Sequence, residues 1–583
     1  MYSLEFSMFI RWFNELAIQD ISTVGGKNAS LGEMYSKLTS KGIDVPNGFA
    51  LTAEAYRTFL KANNLDKKIK SLVNGLDVKN VRALSHAGAK ARDLILQAEF
   101  PDEIKRDILE AYRELSRLPL LTKEGFRGGL PAGADTRGSA KDGKPHPTLP
   151  LERGGGVSVA VRSSATAEDL PDASFAGQQE SYLNVHGEKE LLEACKKCVA
   201  SLFTDRAISY REAKGFEHTA VALSVGVQQM VRSDLASSGV MFTLDTESGF
   251  NGVVLINASY GLGEYIVKGR VTPDQFFVFK EGLKKGYKSI ISRKVGSKEV
   301  KLVYAKHGTR QEKVKPRDQR AYCLTDDEVI KLAKWGMQIE EHYGRAMDIE
   351  WAKDGESGKL YIVQARSETV KSQIKKNVIE TYRLQKKGDV LVTGSSIGQK
   401  IGQGKVRIIN SPKQMKQFKP GEVLVTRITD PDWEPVMRIA SAIITEQGGK
   451  TSHAAIVSRE LGTPCIVGAA KARQILKNGR EVTASCADGE VGYVYKGRLP
   501  FEVERIEVKE IVKTRTKVMM NVGEPDGAFA LSAIPNDGVG LAREEFIFTN
   551  FIKIHPLALV NYEKIKDWKI KDSIDRLTVG YKD

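Results

Sequence analysis

The stretch Glu446–Pro464, EQGGKTSHAAIVSRELGTP, decides how this chain is read. Gly448 and Gly449 open it, and Thr451 and Ser452 follow, both residue types that cap helix N-termini. The spacing predicts a helix from His453 to Leu461, with Gly462 as its C-terminal cap and Pro464 stopping it. His453 then occupies the first turn, where backbone N–H groups and the helix dipole favour an anion. A neutral imidazole is a competent nucleophile, since histidine titrates near ~6.5. The two glycines leave room for a bulky phosphate donor to approach the backbone. GGKTS imitates the end of a P-loop, but the first glycine of that motif falls on Ile444, so that reading is rejected. These residues alone leave His453 as either a nucleophile or an ordinary capping residue.

Outward from this helix, residues 389–496 form a unit rich in Val, Ile and Gly, ending in strands around EVTASCADGEVGYVYKG. Before it, 371–388, KSQIKKNVIETYRLQKKG, reads as a charged helical linker. From 157 to 370, β-like runs (SVAVRSS, AVALSVGVQQMV, GVVLINASYG, DQFFVFK, MDIEWAKD, KLYIVQARS) alternate with helical stretches, which predicts a mixed α/β domain. Residues 1–120 alternate helical patterns with turns. Segment 121–156 is dense in Gly and Pro with no apolar period and reads as a disordered loop or insertion. After 500, KVMMNV and GVGLAR are strand candidates opening a further unit.

The bulk properties bound the answer. A length of 583 residues predicts about three to five domains. Hydrophobic residues make up 41% and charged residues 28%, an ordinary globular balance. No apolar run approaches the ~18 residues needed to span a bilayer, and the start, MYSLEFSMFIRWF, lacks the basic region of a signal peptide. Five cysteines in a chain of this length argue against a disulfide framework and for a reducing cytoplasm. The net charge of +15 is partly local: Lys280–Arg320 holds fourteen Lys and Arg against four Asp and Glu. That segment alternates basic and β-branched residues, as a solvated hairpin does, and no nucleic-acid-binding signature accompanies it.

Three further sets of residues carry possible chemistry. Arg162 lies at the end of an apolar strand, where a guanidinium can fork onto phosphate oxygens or make a surface salt bridge. Lys27 directly follows two glycines at a helix start in VGGKNASLGEM. Asp348 and Glu350 lie two apart on one strand, and Gln364 and Arg366 two apart on the next, so each pair projects from one face. Such oxygens suit Mg²⁺ beside phosphates, or else form a charged cross-strand pair. Cys195 and Cys198 form a C-x-x-C without a second ligand pair nearby, which makes zinc improbable, and Cys465 reads as core.

Together, GGKNASLGEM, VAVRSSATAEDLPDASFAGQQESYLNV, SGVMFTLDTESG, DIEWA, YIVQARSET, DPDWEPVMRIASAIITEQGGKTSHAAIVSRELGTPCIVG and NDGVGLAREEFIF resemble the dikinase family, phosphoenolpyruvate synthases most closely. The resemblance covers nearly the whole chain except 121–156. It implies a multidomain α/β protein: an ATP-grasp-like nucleotide-binding domain over 1–370, a swivelling phosphohistidine domain over 389–496, and from 500 the start of a (β/α)₈ barrel that binds pyruvate. It implies that His453 takes the β-phosphate of ATP by way of a pyrophosphoryl intermediate, that water releases phosphate, and that the phosphohistidine then phosphorylates enolpyruvate. Lys27, Arg162, Asp348, Glu350, Gln364 and Arg366 would contact ATP or its Mg²⁺, with Glu350 and Gln364 as metal ligands and Gly177 and Ser181 in the nucleotide loop. Arg543 would bind substrate, and Thr451 would be the site of a regulatory kinase or phosphorylase. A cytoplasmic homo-oligomer with neither nucleic acid nor membrane as a partner is expected. About 80 residues follow position 500, whereas a complete barrel needs roughly 250, so the barrel is expected to be incomplete and the chain competent for the ATP and histidine half. A rifampicin-type antibiotic phosphotransferase, a pyruvate phosphate dikinase and a non-catalytic phosphotransfer fragment are the competing readings.

Overall fold

A computed structural model describes residues 7–76, 81–118, 156–166, 180–214, 216–218, 221–368, 378–507, 514–523, 525–532 and 534–578. Nearly all of the Gly/Pro-rich segment 121–156, and Gly177, lie outside these residues. The chain divides into two compact units, one comprising Met1–Val231 with Tyr304–Thr309, the other Arg232–Val303 with Arg310–Asp583.

The first unit is built on an antiparallel five-stranded sheet in the order Ile10–Trp12, Gly48–Leu51, Leu223–Gln229, Val159–Ala165, Ser181–Val185. Helices Ile21–Leu38, Ala53–Ala62, Val81–Gln97, Asp102–Leu115 and Gly187–Ser201 belong to the same unit. Its core joins Phe49, Phe59, Ile108, Val161, Cys195, Cys198 and Val227, all buried. The C-x-x-C is thus part of a helix face that meets the sheet. Burial pushes the Cys195 thiol up to about 12, so it is not a thiolate at neutral pH.

The second unit holds several separate sheets. An antiparallel six-stranded sheet runs Leu360–Ser367, Met347–Lys353, Ser237–Phe242, Val253–Tyr260, Asp274–Phe279, Ile290–Lys294. Helix Asp326–Tyr343 packs on it, started by a capping box between Thr325 and Glu328 and ended by left-handed Gly344. The basic segment continues into a hairpin, Val300–Tyr304 with Thr309–Lys313. Several of its charges are answered locally: Lys280 by Glu340, Lys288 by Asp327, Arg293 by Asp326, Lys301 by Glu312 and Lys298, fully buried, by Asp274.

Residues 390–496 close a seven-stranded barrel in the order Val390–Ile397, Cys465–Val467, Ala442–Thr445, Val423–Thr426, Ile401–Ile408, Glu481–Ser485, Val491–Lys496. The three pairings among Ile401–Ile408, Val423–Thr426, Ala442–Thr445 and Cys465–Val467 are parallel. Alternation decides which way each side chain points. Val423, Val425, Ala442, Ile444 and Ile466 fill the interior with Val392, Val406, Val482 and Val494. Leu424, Ile443, Cys465 and Val467 face outward, where Trp433, Met437, Ala454 and Ala455 cover them. Both faces are buried, which is why these strands read as continuous apolar runs.

The segment expected to be a helical linker departs from that reading. Val378–Leu384 is a strand, paired antiparallel with Phe501–Glu507. Glu380 pairs with Arg505, and Tyr382 stacks on Phe501. Cross-strand contacts to a partner over a hundred residues away override the local preference of the charged residues for helix. Beyond this ribbon, Met520–Val522 and Val539–Ala542 form a parallel pair, where KVMMNV and GVGLAR were expected to be strands. Among the described residues no helix is long and apolar enough to cross a membrane.

Truncating Ile444 inside the barrel should therefore cost about 2–5 kcal/mol. Chemical denaturation of Ile444→Ala, followed by the fluorescence change of the barrel's own transition, measures this; a loss below about 1 kcal/mol would contradict the packing described.

Candidate functional site

The predicted histidine helix is present with the predicted ends, His453–Leu461, Ser452 in extended conformation before it and left-handed Gly462 after it. It crosses from the parallel strand Ala442–Thr445 to its neighbour Cys465–Val467, so His453 sits beyond the carboxyl end of a parallel strand. Open α/β sheets bind ligands at that edge. Thr429 follows the next parallel strand, whose Thr426 is in register with Thr445. The two loops meet there: the Thr429 hydroxyl lies 3.1 Å from His453 Nδ1. This contact orients the imidazole ring through its Nδ1. Thr429 escaped the sequence reading because it is 24 positions from His453 and only the parallel register joins them.

The residues before the histidine are tightly held. Lys450, Thr451 and Ser452 are all buried, whereas His453 is half-buried. Lys450 forms an ion pair with Glu490. Burial pulls its ammonium down, but Glu490 and Glu247 outweigh this and hold it above its ordinary value. Gly448 is left-handed, and a side chain there would press on Ser452. Gly269, also left-handed, is closer still, since a methyl group would overlap Ser452 Cβ. Ser452 occupies the predicted cap position but does not cap with its hydroxyl, which is buried in this contact without a hydrogen-bond partner. On the same helix Arg459 pairs with Glu247, and Glu247 Oε2 accepts from Gly398 N at 2.8 Å. Burial raises the Glu247 carboxyl, yet Arg459 and Lys450 bring it below the usual carboxylate range. Cys465, just past the helix, is buried core, its thiol pushed up to about 12 by burial.

In the first unit Lys27 follows Gly25, whose φ of 73° and ψ of 165° break the helix Ile21–Leu38. Only glycine adopts that conformation readily, and a side chain there would overlap Ser164. Asn28 N bonds Ser164 Oγ at 3.4 Å and Asn28 Nδ2 bonds Ser224 Oγ at 2.9 Å. The Lys27 turn is thereby anchored to the strand that carries Arg162. Across that strand Arg162 is in register with Ser181 on one side and Gly226 on the other. Arg162, at the middle of Val159–Ala165, and Ser181 are thus cross-strand neighbours, and Lys27 directly precedes the Asn28 that ties its helix to the same strand.

In the second unit the strand pair Met347–Lys353 and Leu360–Ser367 sets Asp348 opposite Arg366 and Glu350 opposite Gln364. The Arg366 guanidinium donates twice to Asp348 Oδ2, at 2.9 and 2.7 Å. Asp348 thus holds Arg366, and Glu350 and Gln364 remain as the neighbouring oxygen donors. Arg543 is exposed, one residue past the end of Val539–Ala542, with its N–H bonded to Val522 O.

Comparison with known proteins assigns these parts. Residues 21–121 and 149–386 match the family described as pyruvate phosphate dikinase, AMP/ATP-binding domain. Residues 418–489 match the PEP-utilising enzyme, mobile domain. A phosphoenolpyruvate synthase of Synechocystis sp. is 51% identical over 98% of this chain and 68% of its own length. The chain belongs to the phosphoenolpyruvate synthase family. Phosphoenolpyruvate synthases of Aquifex aeolicus (50% identical, 96% of this chain, 63% of the relative) and Escherichia coli (47%, 99% and 68%) agree. The chain thus spans about two thirds of the length of these relatives, and it is an enzyme of the pyruvate, water dikinase class. The interruption of the nucleotide-domain match at 122–148 falls inside the segment read as an insertion.

Because Gly25 is held in a glycine-only conformation against Ser164, Gly25→Ala should destabilise the first unit by about 1–3 kcal/mol or more. Thermal or denaturant unfolding measures this, and a neutral substitution would show that the kink before Lys27 is not required.

Proposed function

We propose that this chain carries out the ATP-dependent half of the phosphoenolpyruvate synthase reaction, with His453 as the phosphate carrier. The contact between Thr429 Oγ1 and His453 Nδ1 carries this reading. With a proton on Nδ1 shared toward Thr429, the lone pair lies on Nε2, which attacks the β-phosphorus of ATP. The bond to the departing α-phosphate oxygen breaks, and AMP leaves with those electrons. Water then removes the terminal phosphate, leaving phosphohistidine. The first helical turn meets the growing negative charge with its N–H groups.

Lys27 and Arg162 are assigned to the phosphates, and Arg366, oriented by Asp348, to the same role. Ser181, beside Arg162, and Gly177 belong to the nucleotide loop in this reading. Glu350 and Gln364 are oxygen donors in register on adjacent strands, and Gln364 is only 7% exposed, a set that suits Mg²⁺. When bound, Mg²⁺ would neutralise phosphate charge and align the nucleotide. Arg543, at the carboxyl end of its strand, is the pyruvate and phosphoenolpyruvate contact, where barrel enzymes place their chemistry.

The barrel domain swivels, since one histidine must visit ATP and then pyruvate. Thr451 is 3% exposed in the arrangement described, so a regulatory kinase would reach it only after its loop leaves the Gly269 seat. A cytoplasmic homo-oligomer serving gluconeogenesis completes the reading.

The test uses β-labelled ATP with Mg²⁺ and the purified chain. Acid-labile, base-stable label is expected on the wild type and absent from His453→Ala; label persisting in that variant overturns the assignment. Thr429→Val should slow labelling by about 10–100-fold, as loss of an orienting hydrogen bond does, while leaving ATP affinity unchanged. Calorimetric titration of Arg162→Ala should show weaker ATP binding by about 1.5–3 kcal/mol; equal affinity would remove Arg162 from the site.

A further inference from the structure

We propose that Glu247 is the docking residue for the histidine domain: its carboxylate grips Arg459 of the histidine helix and the backbone of Gly398, and so sets how often His453 is presented to ATP. This rests on the swivelling, ATP-dependent reading above.

Glu247 stands in a loop that is held by its own hydrogen bonds. Asp245 Oδ2 accepts Ser248 N at 2.8 Å and Ser248 Oγ at 2.5 Å. Gly249 N bonds Asp245 O, and Asp245 N bonds Phe250 O, each at 2.8 Å. This loop leaves the strand Ser237–Phe242, which lies in the same sheet as Glu350 and Gln364. From there Glu247 Oε1 takes Arg459 Nε at 3.1 Å as well as Nη2, while Oε2 takes Gly398 N at 2.8 Å. A single carboxylate thereby holds the helix that begins with His453 and the turn between the first two barrel strands. Oε1 accepts both guanidinium N–H groups and Oε2 the backbone N–H, so both carboxylate oxygens are oriented.

A second contact limits the seat sterically. Ser452 packs where only a glycine at 269 leaves space, and Gly449 lies against Pro273. The Gly269–Pro273 turn is in turn fixed by the buried pair of Asp274 and Lys298, with Asp274 Oδ1 also accepting Gly296 N at 2.9 Å.

The chemistry of this interface is that of a reversible contact. Its anchor is ionic rather than apolar, and charges freed on separation are taken up by water. The Ser452 hydroxyl is buried there without a partner. A permanent interface would carry that cost at all times, whereas a carrier that departs hydrates the group in its other position. Glu247 touches none of the reacting atoms and is a positioning residue.

The experiment compares the full chain with Glu247→Asp, Glu247→Arg, Arg459→Glu and the double variant Glu247→Arg/Arg459→Glu. Three quantities are read: the initial rate of His453 labelling from β-labelled ATP, calorimetric ATP affinity, and hydrogen–deuterium exchange over 267–272 and 447–452. Glu247→Arg and Arg459→Glu should each slow labelling at least about tenfold, since a buried pair is broken, with ATP affinity unchanged within about twofold. Exchange over both segments should quicken. Glu247→Asp and the charge-exchanged double variant should recover most of the rate. Labelling of Glu247→Arg at the wild-type rate overturns the proposal. So does a loss recovered by neither Glu247→Asp nor the double variant. If the wild type takes no label, the ATP-dependent reading fails by itself. Exchange then decides the docking claim alone, supported by faster exchange in Arg459→Glu and overturned by unchanged exchange.

Discussion

Closure of the sheet over residues 390–496 is the constraint on which the histidine depends. Four consecutive strands of the barrel lie parallel, and parallel neighbours bring their following loops to one edge. Thr429 and His453 meet there because Thr426 and Thr445 are in register. The interior of Val423, Val425, Ile444 and Ile466 prevents any strand from slipping, since a shift by one residue would turn these side chains outward. Ring orientation at 3.1 Å from a hydroxyl is thus a consequence of apolar packing several residues away. In the proposed reading this lets the barrel move as one body without losing the alignment of His453.

The histidine helix was legible because its signals are local. Ser452, Gly462 and Pro464 mark the ends within a dozen residues, and each acts on its own neighbourhood. The strand pair bearing Asp348, Glu350, Gln364 and Arg366 was legible for the same reason, since two short alternating runs lie close in the chain. What could not be read were pairings across distance. Val378–Leu384 reads as helix until Phe501–Glu507 is placed beside it. Thr429 and Glu247 lie in or beside motifs that stood out, yet nothing in their spacing says what they touch. Ser452 shows a subtler limit: its residue type located the cap correctly, but its hydroxyl is turned into a contact with Gly269 that no local rule contains.

Charge followed a similar division. The excess of fourteen basic over four acidic residues in Lys280–Arg320 suggested an exposed surface, and Asp326, Asp327 and Glu340 from the neighbouring helix answer three of those charges. An exposed pair such as Lys288 with Asp327 contributes little, because water screens both charges. The consequential charges are fewer and buried. Lys298 with Asp274 holds the turn at Pro273, and Arg459 with Glu247 holds the helix. Neither pair is distinguishable in the sequence from the many surface charges.

A mobile carrier needs an interface that is accurate but not too favourable. An apolar seat of ordinary size would hold the barrel in one position, because each buried side chain adds about 1.5–3 kcal/mol. The contacts around His453 avoid this. Their apolar content is small: Gly269, Gly448, Gly449 and Pro273 supply shape more than buried hydrocarbon. Accuracy comes from the Glu247 carboxylate, held at one oxygen by Arg459 and at the other by Gly398, and from the lack of space at Gly269, both steep functions of distance. Attraction is offset by desolvation of Glu247, Arg459 and Lys450 and by the unpaired Ser452 hydroxyl. In the proposed reading, a single new charge on the loop, such as a phosphate on Thr451 or His453, would shift which position the domain occupies.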